Sequence, residues 1–131
     1  MTRSSASTDA DILSPHFRRP EFWCPCCNLF AAPRRLIVAL EDLRRECGGV
    51  PVTILSGTRC DHWNRAVGGV PNSKHLLGQA ADIVVRGLHP FEVAAKAGLV
   101  FAFSHGGIGT YPHRGFVHVD VRMDGPARWE G

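Results

Sequence analysis

An α+β domain, with a small, mainly antiparallel sheet and helices packed on one face, is the fold class that this chain of 131 residues predicts. Apolar residues recur at helical spacing over residues 33–47. Short runs rich in β-branched residues stand at 52–55, 81–85 and 116–121, and the order of the segments reads helix, strand, short helix, strand, helix, strand, strand. The length suits one ordinary domain, and a core of that size can be stable without a metal to hold it together.

Residues 1–12 carry Ser, Thr, Asp and Ala with almost nothing to bury, and read as a disordered leader ahead of a single domain at 13–131. Leu13 to Phe30 is irregular but apolar, and Phe17, Phe22, Trp23, Leu29 and Phe30 are expected to wrap over a core. Pro33 opens the helix on which Leu36, Ile37, Leu40, Leu43 and Cys47 share a face. Arg44 and Arg45 suit its last turns, and Gly48-Gly49 stops it. Val52–Leu55 is a strand, Asp61–Val67 a short helix, Ala81–Val85 a second strand and Pro90–Ala97 a helix closed by Gly98. Leu99–Phe103 reads as a strand, Gly106–Gly109 as a tight turn, Phe116–Val121 as the last strong strand, and the chain then runs out in a tail containing Trp129.

Fifteen Lys and Arg against twelve Asp and Glu give a net charge of +3. The arginines are dispersed except for three pairs and are not interleaved with aromatics, so no nucleic-acid partner is expected. No apolar run is long enough to span a membrane, and the first residues lack the apolar core of a secretion signal. Five cysteines, Cys24, Cys26, Cys27, Cys47 and Cys60, leave at least one thiol unpaired in a monomer. Cys24-Pro25-Cys26-Cys27 looks like half of a zinc knuckle. Disulfides are the expectation for an exported chain, with Cys60 pairing to the 24–27 cluster.

Three residues stand out chemically. In a strand of period two, Phe116, His118 and Asp120 share one face and Val117, Val119 and Val121 the other. The valine face belongs to the core, so the face with a histidine and an aspartate looks into a cleft or solvent. Asp82 sits amid residues that otherwise want burial, where a carboxylate needs a counter-charge, hydrogen bonds or a metal. His75 lies seven residues earlier across a glycine-containing turn. Two imidazoles and a carboxylate suit Zn²⁺ and leave a fourth position for water. Spacing alone is also met by a solvated sheet face with an ordinary ion pair at Asp82.

The stretch Ser56-Gly57-Thr58-Arg59-Cys60, then His62 to Ile83 with its Ser73-x-His75-x6-Asp82 signature, resembles the zinc D-Ala-D-Ala carboxypeptidase-like murein peptidases of the M15 group. Gly107-Ile108-Gly109, Tyr111-Pro112, Gly115-Phe116-Val117-His118-Val119-Asp120-Val121-Arg122 and Ala127-Arg128-Trp129 match the same group, so the resemblance covers about residues 13–129. It implies a hedgehog/DD-peptidase-like fold and one zinc ion per chain, held by His75, Asp82 and His118. It puts a substrate or transition-state arginine at Arg59, a further active-site histidine at His113 and a ligand-orienting hydroxyl at Ser73. Asp120 is expected to support the ligands from behind. Several branches carry an acid three residues before the last histidine ligand; here that place is Gly115, and proton transfer passes to His113 or another carboxylate.

The resemblance further implies amide hydrolysis in peptidoglycan stem peptides or crosslinks, as a DD-carboxypeptidase or a murein endopeptidase. It points to peptidoglycan peptides as partners, a monomer, and action in the periplasm or outside the cell, the phage-encoded lytic enzymes included. The alternative is a zinc-stabilised wall-binding or structural domain of the same fold without turnover.

Overall fold

The computed structural model describes residues 9–131, so residues 1–8 of the expected leader lie outside the described residues. After a 3₁₀ turn at Asp9–Asp11, strands β1 (Ile12–Ser14) and β2 (Phe17–Arg18) form a small antiparallel ribbon. Phe17 and Phe22 meet edge to face at 5.9 Å and are fully buried, as the apolar reading of this segment requires, whereas Leu29 is exposed.

The main sheet has five strands: β3 (Val52–Ser56), β4 (Ala80–Val85), β5 (Gly107–Tyr111), β6 (Phe116–Asp120) and β7 (Ala127–Glu130). Their spatial order is β3-β4-β6-β5-β7, and every neighbouring pair is antiparallel except β5 with β7. Helices α1 (Arg34–Glu46), α3 (Pro90–Ala97) and α4 (Phe101–Ser104) cover one face, and α2 (Asp61–Ala66) follows β3. The predicted α+β class is therefore the observed one.

Packing follows the two periodicities. Ala81, Ile83 and Val85 on β4, with Val117 and Val119 on β6, turn one face of the sheet toward Leu36, Leu40 and Leu43 of α1, Val93 and Ala97 of α3, and Phe103. Each fully buried Val, Leu, Ile or Phe among them stabilises by roughly 1.5–3 kcal/mol relative to exposure. Pro33 is the residue before the first helical turn, with the extended backbone that starts α1.

Four expectations are corrected. Leu99–Phe103 is not a strand. Alternation would place Leu99, Phe101 and Phe103 together, but Leu99 and Phe101 are exposed while Val100 and Phe103, three apart, enter the core through α4. Gly106–Gly109 is not simply a turn, because Gly107 and Gly109 lie within β5. A Cβ at Gly107 would strike the Asp120 carboxylate, and one at Gly109 would strike the Trp129 indole. These glycines mark close approach rather than a break. The tail forms the edge strand β7. All five cysteines are free thiols: Cys60 does reach the 24–27 cluster, but the Sγ distances of 3.3 Å to Cys26 and 3.7 Å to Cys24 are far from the ~2.05 Å of a disulfide.

Candidate metal centre

The face of the sheet away from α1 carries one row of facing residues through all five strands: Ser56, Asp82, His118, Gly109 and Trp129. Directly opposed residues present their side chains on the same face. The pairing of Asp82 with His118 thus juxtaposes carboxylate and imidazole, and His118 lies against the Trp129 ring, 5.0 Å between centroids. His75 arrives from a 3₁₀ turn at Lys74–Leu77, whose start is capped by Ser73: its Oγ accepts the His75 backbone N–H at 3.2 Å.

His75, Asp82 and His118 are 2%, 7% and 8% exposed, and one ligand atom from each lies within 4.8 Å of the others. Burial of three such groups demands a reason, and their hydrogen bonds supply it. Asp82 Oδ1 stands 3.1 Å from His75 Nε2 and 3.2 Å from His118 Nδ1. On the opposite edges of the rings, His75 Nδ1 donates to the Gly57 carbonyl at 2.7 Å and His118 Nε2 donates to Asp120 Oδ2 at 2.7 Å. With those nitrogens protonated, the lone pairs of the neutral rings fall on His75 Nε2 and His118 Nδ1, both turned toward Asp82. The donor set, two imidazoles and a carboxylate aimed at one point, fits a divalent ion of the zinc type.

Electrostatics follow from the same contacts. Burial alone would raise the Asp82 carboxyl, yet in the metal-free state, when the inner ring nitrogens carry protons, hydrogen bonds from His118 and His75 hold it well below the usual carboxylate range. Asp120, fully buried, is likewise held down against burial by Arg122 and His118. Arg122 donates Nε to Oδ1 at 2.8 Å and Nη2 to Oδ2 at 2.7 Å, a bidentate grip. Burial would depress His118, but Asp120 and Asp82 together raise it.

Arg59 is brought to the same place. Its guanidinium donates to Asp82 Oδ2, Ser56 Oγ and Asn64 Oδ1, each at 3.2 Å. Asn64 is buried and donates in turn to the Val70 carbonyl at 2.9 Å. Arg59 therefore occupies the carboxylate oxygen that the histidines leave free. Above the three residues opens a cleft of ≈ 560 Å³, lined also by Ser73, Arg114 and Asp124. That volume is typical of small-ligand sites. Lys74 Nζ pairs with Asp124 at 3.4 Å on its wall.

Two proposed site residues lie outside the cleft wall: Asp120, which sits behind His118, and His113. His113 is exposed in the turn between β5 and β6, two residues from Tyr111 and beside Arg114, both of which line the cleft. Gly115, in the same turn, has φ +77°, the left-handed conformation that disfavours a side chain, which accounts for the missing acid there. Three contributors went unassigned in the sequence. Arg122 continues the period-two face of Phe116, His118 and Asp120, a usable signal. Trp129, whose Nε1 donates to the Tyr111 hydroxyl at 2.8 Å, and the buried Asn64 carried none on their own.

A small, mainly antiparallel sheet bearing a buried His-Asp-His group at the floor of a polar cleft defines a metallopeptidase-like protein. The chain belongs to the peptidase M15 family, whose model matches residues 15–120. It is 37% identical over 83 residues to the peptidoglycan L,D-endopeptidase MepK of Escherichia coli K12, covering 60% of this chain and 42% of that protein. It is also 37% identical over 65 residues to a probable peptidoglycan L,D-endopeptidase MepK of Haemophilus influenzae, covering 49% of this chain and 32% of the relative. Over 44 residues it is 41% identical to the zinc D-Ala-D-Ala carboxypeptidase of Streptomyces albus G, covering 34% and 17% of the two chains. The chain spans less than half the length of these relatives. Among the described residues, no helix is long and apolar enough to cross a membrane.

Proposed function

We propose that residues 13–131 form one zinc-dependent peptidase domain that hydrolyses peptide bonds in peptidoglycan stem peptides or their crosslinks. The observation that carries this reading is the buried His75-Asp82-His118 group, with His75 Nε2 and His118 Nδ1 turned inward at the floor of an open cleft. Zinc bound there would supply Lewis acidity toward a scissile carbonyl and acidify an attacking water. His75 Nε2, His118 Nδ1 and Asp82 would hold the ion.

The remaining roles belong to the chain's own groups. Arg59 holds Asp82 in place and offers its planar fork to a peptide carboxylate or developing oxyanion. Ser73 fixes His75 through its backbone and lines the cleft. Arg114 stands over the stacked Tyr111 and Phe116 rings, adding a cation to a wall suited to anionic stem peptides. The names of the MepK and carboxypeptidase relatives support this substrate class; a monomer acting in the periplasm or outside the cell is part of the same proposal.

We assign proton transfer to His113, because an imidazole can both accept and return a proton. Catalytic contacts are often long in substrate-free structures, so a ring in the adjoining turn remains within the reading. His113→Ala is expected to cut turnover by roughly 10²-fold while metal content stays unchanged. An undiminished rate transfers the role to Asp124, the cleft carboxylate outside the ligand group.

A second reading, a zinc-stabilised wall-binding domain without turnover, draws on Gly115. Incubating muropeptides with the zinc-loaded chain and weighing the products by mass spectrometry separates the two. Loss of a terminal residue or opening of a crosslink is the expected result and also identifies the bond. Intact muropeptides with zinc bound would sink the peptidase reading.

A further inference from the structure

A second group of metal-ligating side chains lies outside the cleft. The Sγ atoms of Cys24, Cys26, Cys27 and Cys60 all lie within 4.8 Å of one another. Three separations are closer: 3.6 Å for Cys24 with Cys26, 3.7 Å for Cys24 with Cys60 and 3.3 Å for Cys26 with Cys60. Thiolates around a tetrahedral zinc, at Zn–S of about 2.3 Å, stand about 3.8 Å apart. The cluster is near that edge length.

The backbone is folded to present these sulfurs. Cys24 to Asn28 makes a tight turn in which Cys24 O accepts from Cys27 N at 3.4 Å and Asn28 N at 2.7 Å, and Asn28 takes the left-handed conformation at φ +62°. Cys24 N then donates to Leu29 O at 2.8 Å and closes the loop. From the other side, Cys60 is the residue preceding α2, and its sulfur accepts the Trp63 N–H at 3.4 Å. An amide N–H aimed at sulfur stabilises a thiolate.

We propose that Cys24, Cys26, Cys27 and Cys60 form a closed four-thiolate site for a second divalent ion of the zinc class. Each thiol gives its proton to solvent on ligation, and four protein ligands leave no open position, so the ion is structural. It ties the amino-terminal segment to the loop at residues 57–60. That loop already joins the segment through Thr58 N to Phe22 O at 2.7 Å and Ala31 N to Thr58 Oγ1 at 3.1 Å. The same loop carries the Gly57 carbonyl behind His75 and the guanidinium of Arg59 beside Asp82, so the clamp braces two supports of the cleft.

The test is made on the whole chain, reduced, loaded with zinc and freed of excess metal. The expected content is about two zinc ions per chain, falling to about one in the double variant His75→Ala/His118→Ala. Cys26→Ser/Cys27→Ser, at two exposed positions, is expected to lose the other ion. Because unfolding of a cysteine variant would also release the ion, cobalt(II) is bound to the double histidine variant as well, where all four cysteines remain. Intense thiolate-to-cobalt absorption in the near ultraviolet, with tetrahedral bands in the visible, is the expected spectrum. A double histidine variant that holds neither zinc nor such a spectrum while its thiols are reduced overturns the proposal, whatever the cleft binds.

Discussion

Replacing His118 or His75 by alanine is expected to abolish hydrolysis and to remove one zinc ion per chain. Both effects have one cause. Three inward-facing atoms make the site, and the loss of one leaves two, too few to retain zinc at the concentrations of an assay. The loss should exceed the roughly 10–100-fold that removing a mere supporting contact costs. His75 is 2% exposed, so its truncation also opens space, and circular dichroism must show the fold intact before a missing ion is read as a missing ligand. His118→Ala leaves Asp120 gripped by Arg122 and so isolates the metal effect better. Metal content by mass spectrometry and product release from muropeptides are the two readouts. Full hydrolysis by a metal-free preparation would end the zinc reading.

How much of this was legible in the sequence depended on whether local pattern carried the information. The alternation through Phe116–Val121 identified both the valine core face and the face bearing His118, because a strand's period is a property of the strand itself. Asp82 was conspicuous because a carboxylate among apolar neighbours is conspicuous anywhere. That His118 meets Asp82 required the antiparallel pairing of β4 with β6, a long-range contact; residue pattern alone left zinc ligation level with an ordinary ion pair at Asp82, and the family resemblance decided between them. The misreadings have the opposite origin. Gly107 and Gly109 were read as a turn because glycine usually marks one, whereas here the absent Cβ makes room for Asp120 and for Trp129, residues far along the chain. The edge strand at Ala127–Glu130 is too short for alternation to declare itself, and α4 is a four-residue helix of strand-like composition. The cysteines were read by compartment and number; their arrangement depends on two loops meeting.

Asp120→Asn should separate what holds the metal from what aims its ligand. The carboxylate accepts from His118 Nε2 and twice from the Arg122 side chain, with a further bond from the Arg122 backbone at 3.1 Å. An amide of the same shape has one oxygen to serve these donors, and its NH₂ must face either the guanidinium or the imidazole. Facing the imidazole, it drives the His118 proton from Nε2 to Nδ1, the atom turned toward Asp82, and closes the lone pair that a metal needs. Zinc affinity is expected to fall about 10–100-fold, and the metal-free chain to lose on the order of 2–3 kcal/mol on urea unfolding, because a buried ion pair has lost its charge. The pH dependence adds a second readout. In the wild type His118 is raised despite burial, first by Asp120 and then by Asp82, so protons compete with the metal from above the ordinary imidazole range. Zinc affinity should then fall by about tenfold per pH unit as that nitrogen titrates. The variant lacks the first raising partner, so its competition sets in at lower pH. The affinity gap between the two proteins should be widest above neutrality and narrow on acidification; equal affinities and superimposable pH profiles would mean that Asp120 serves Arg122 alone.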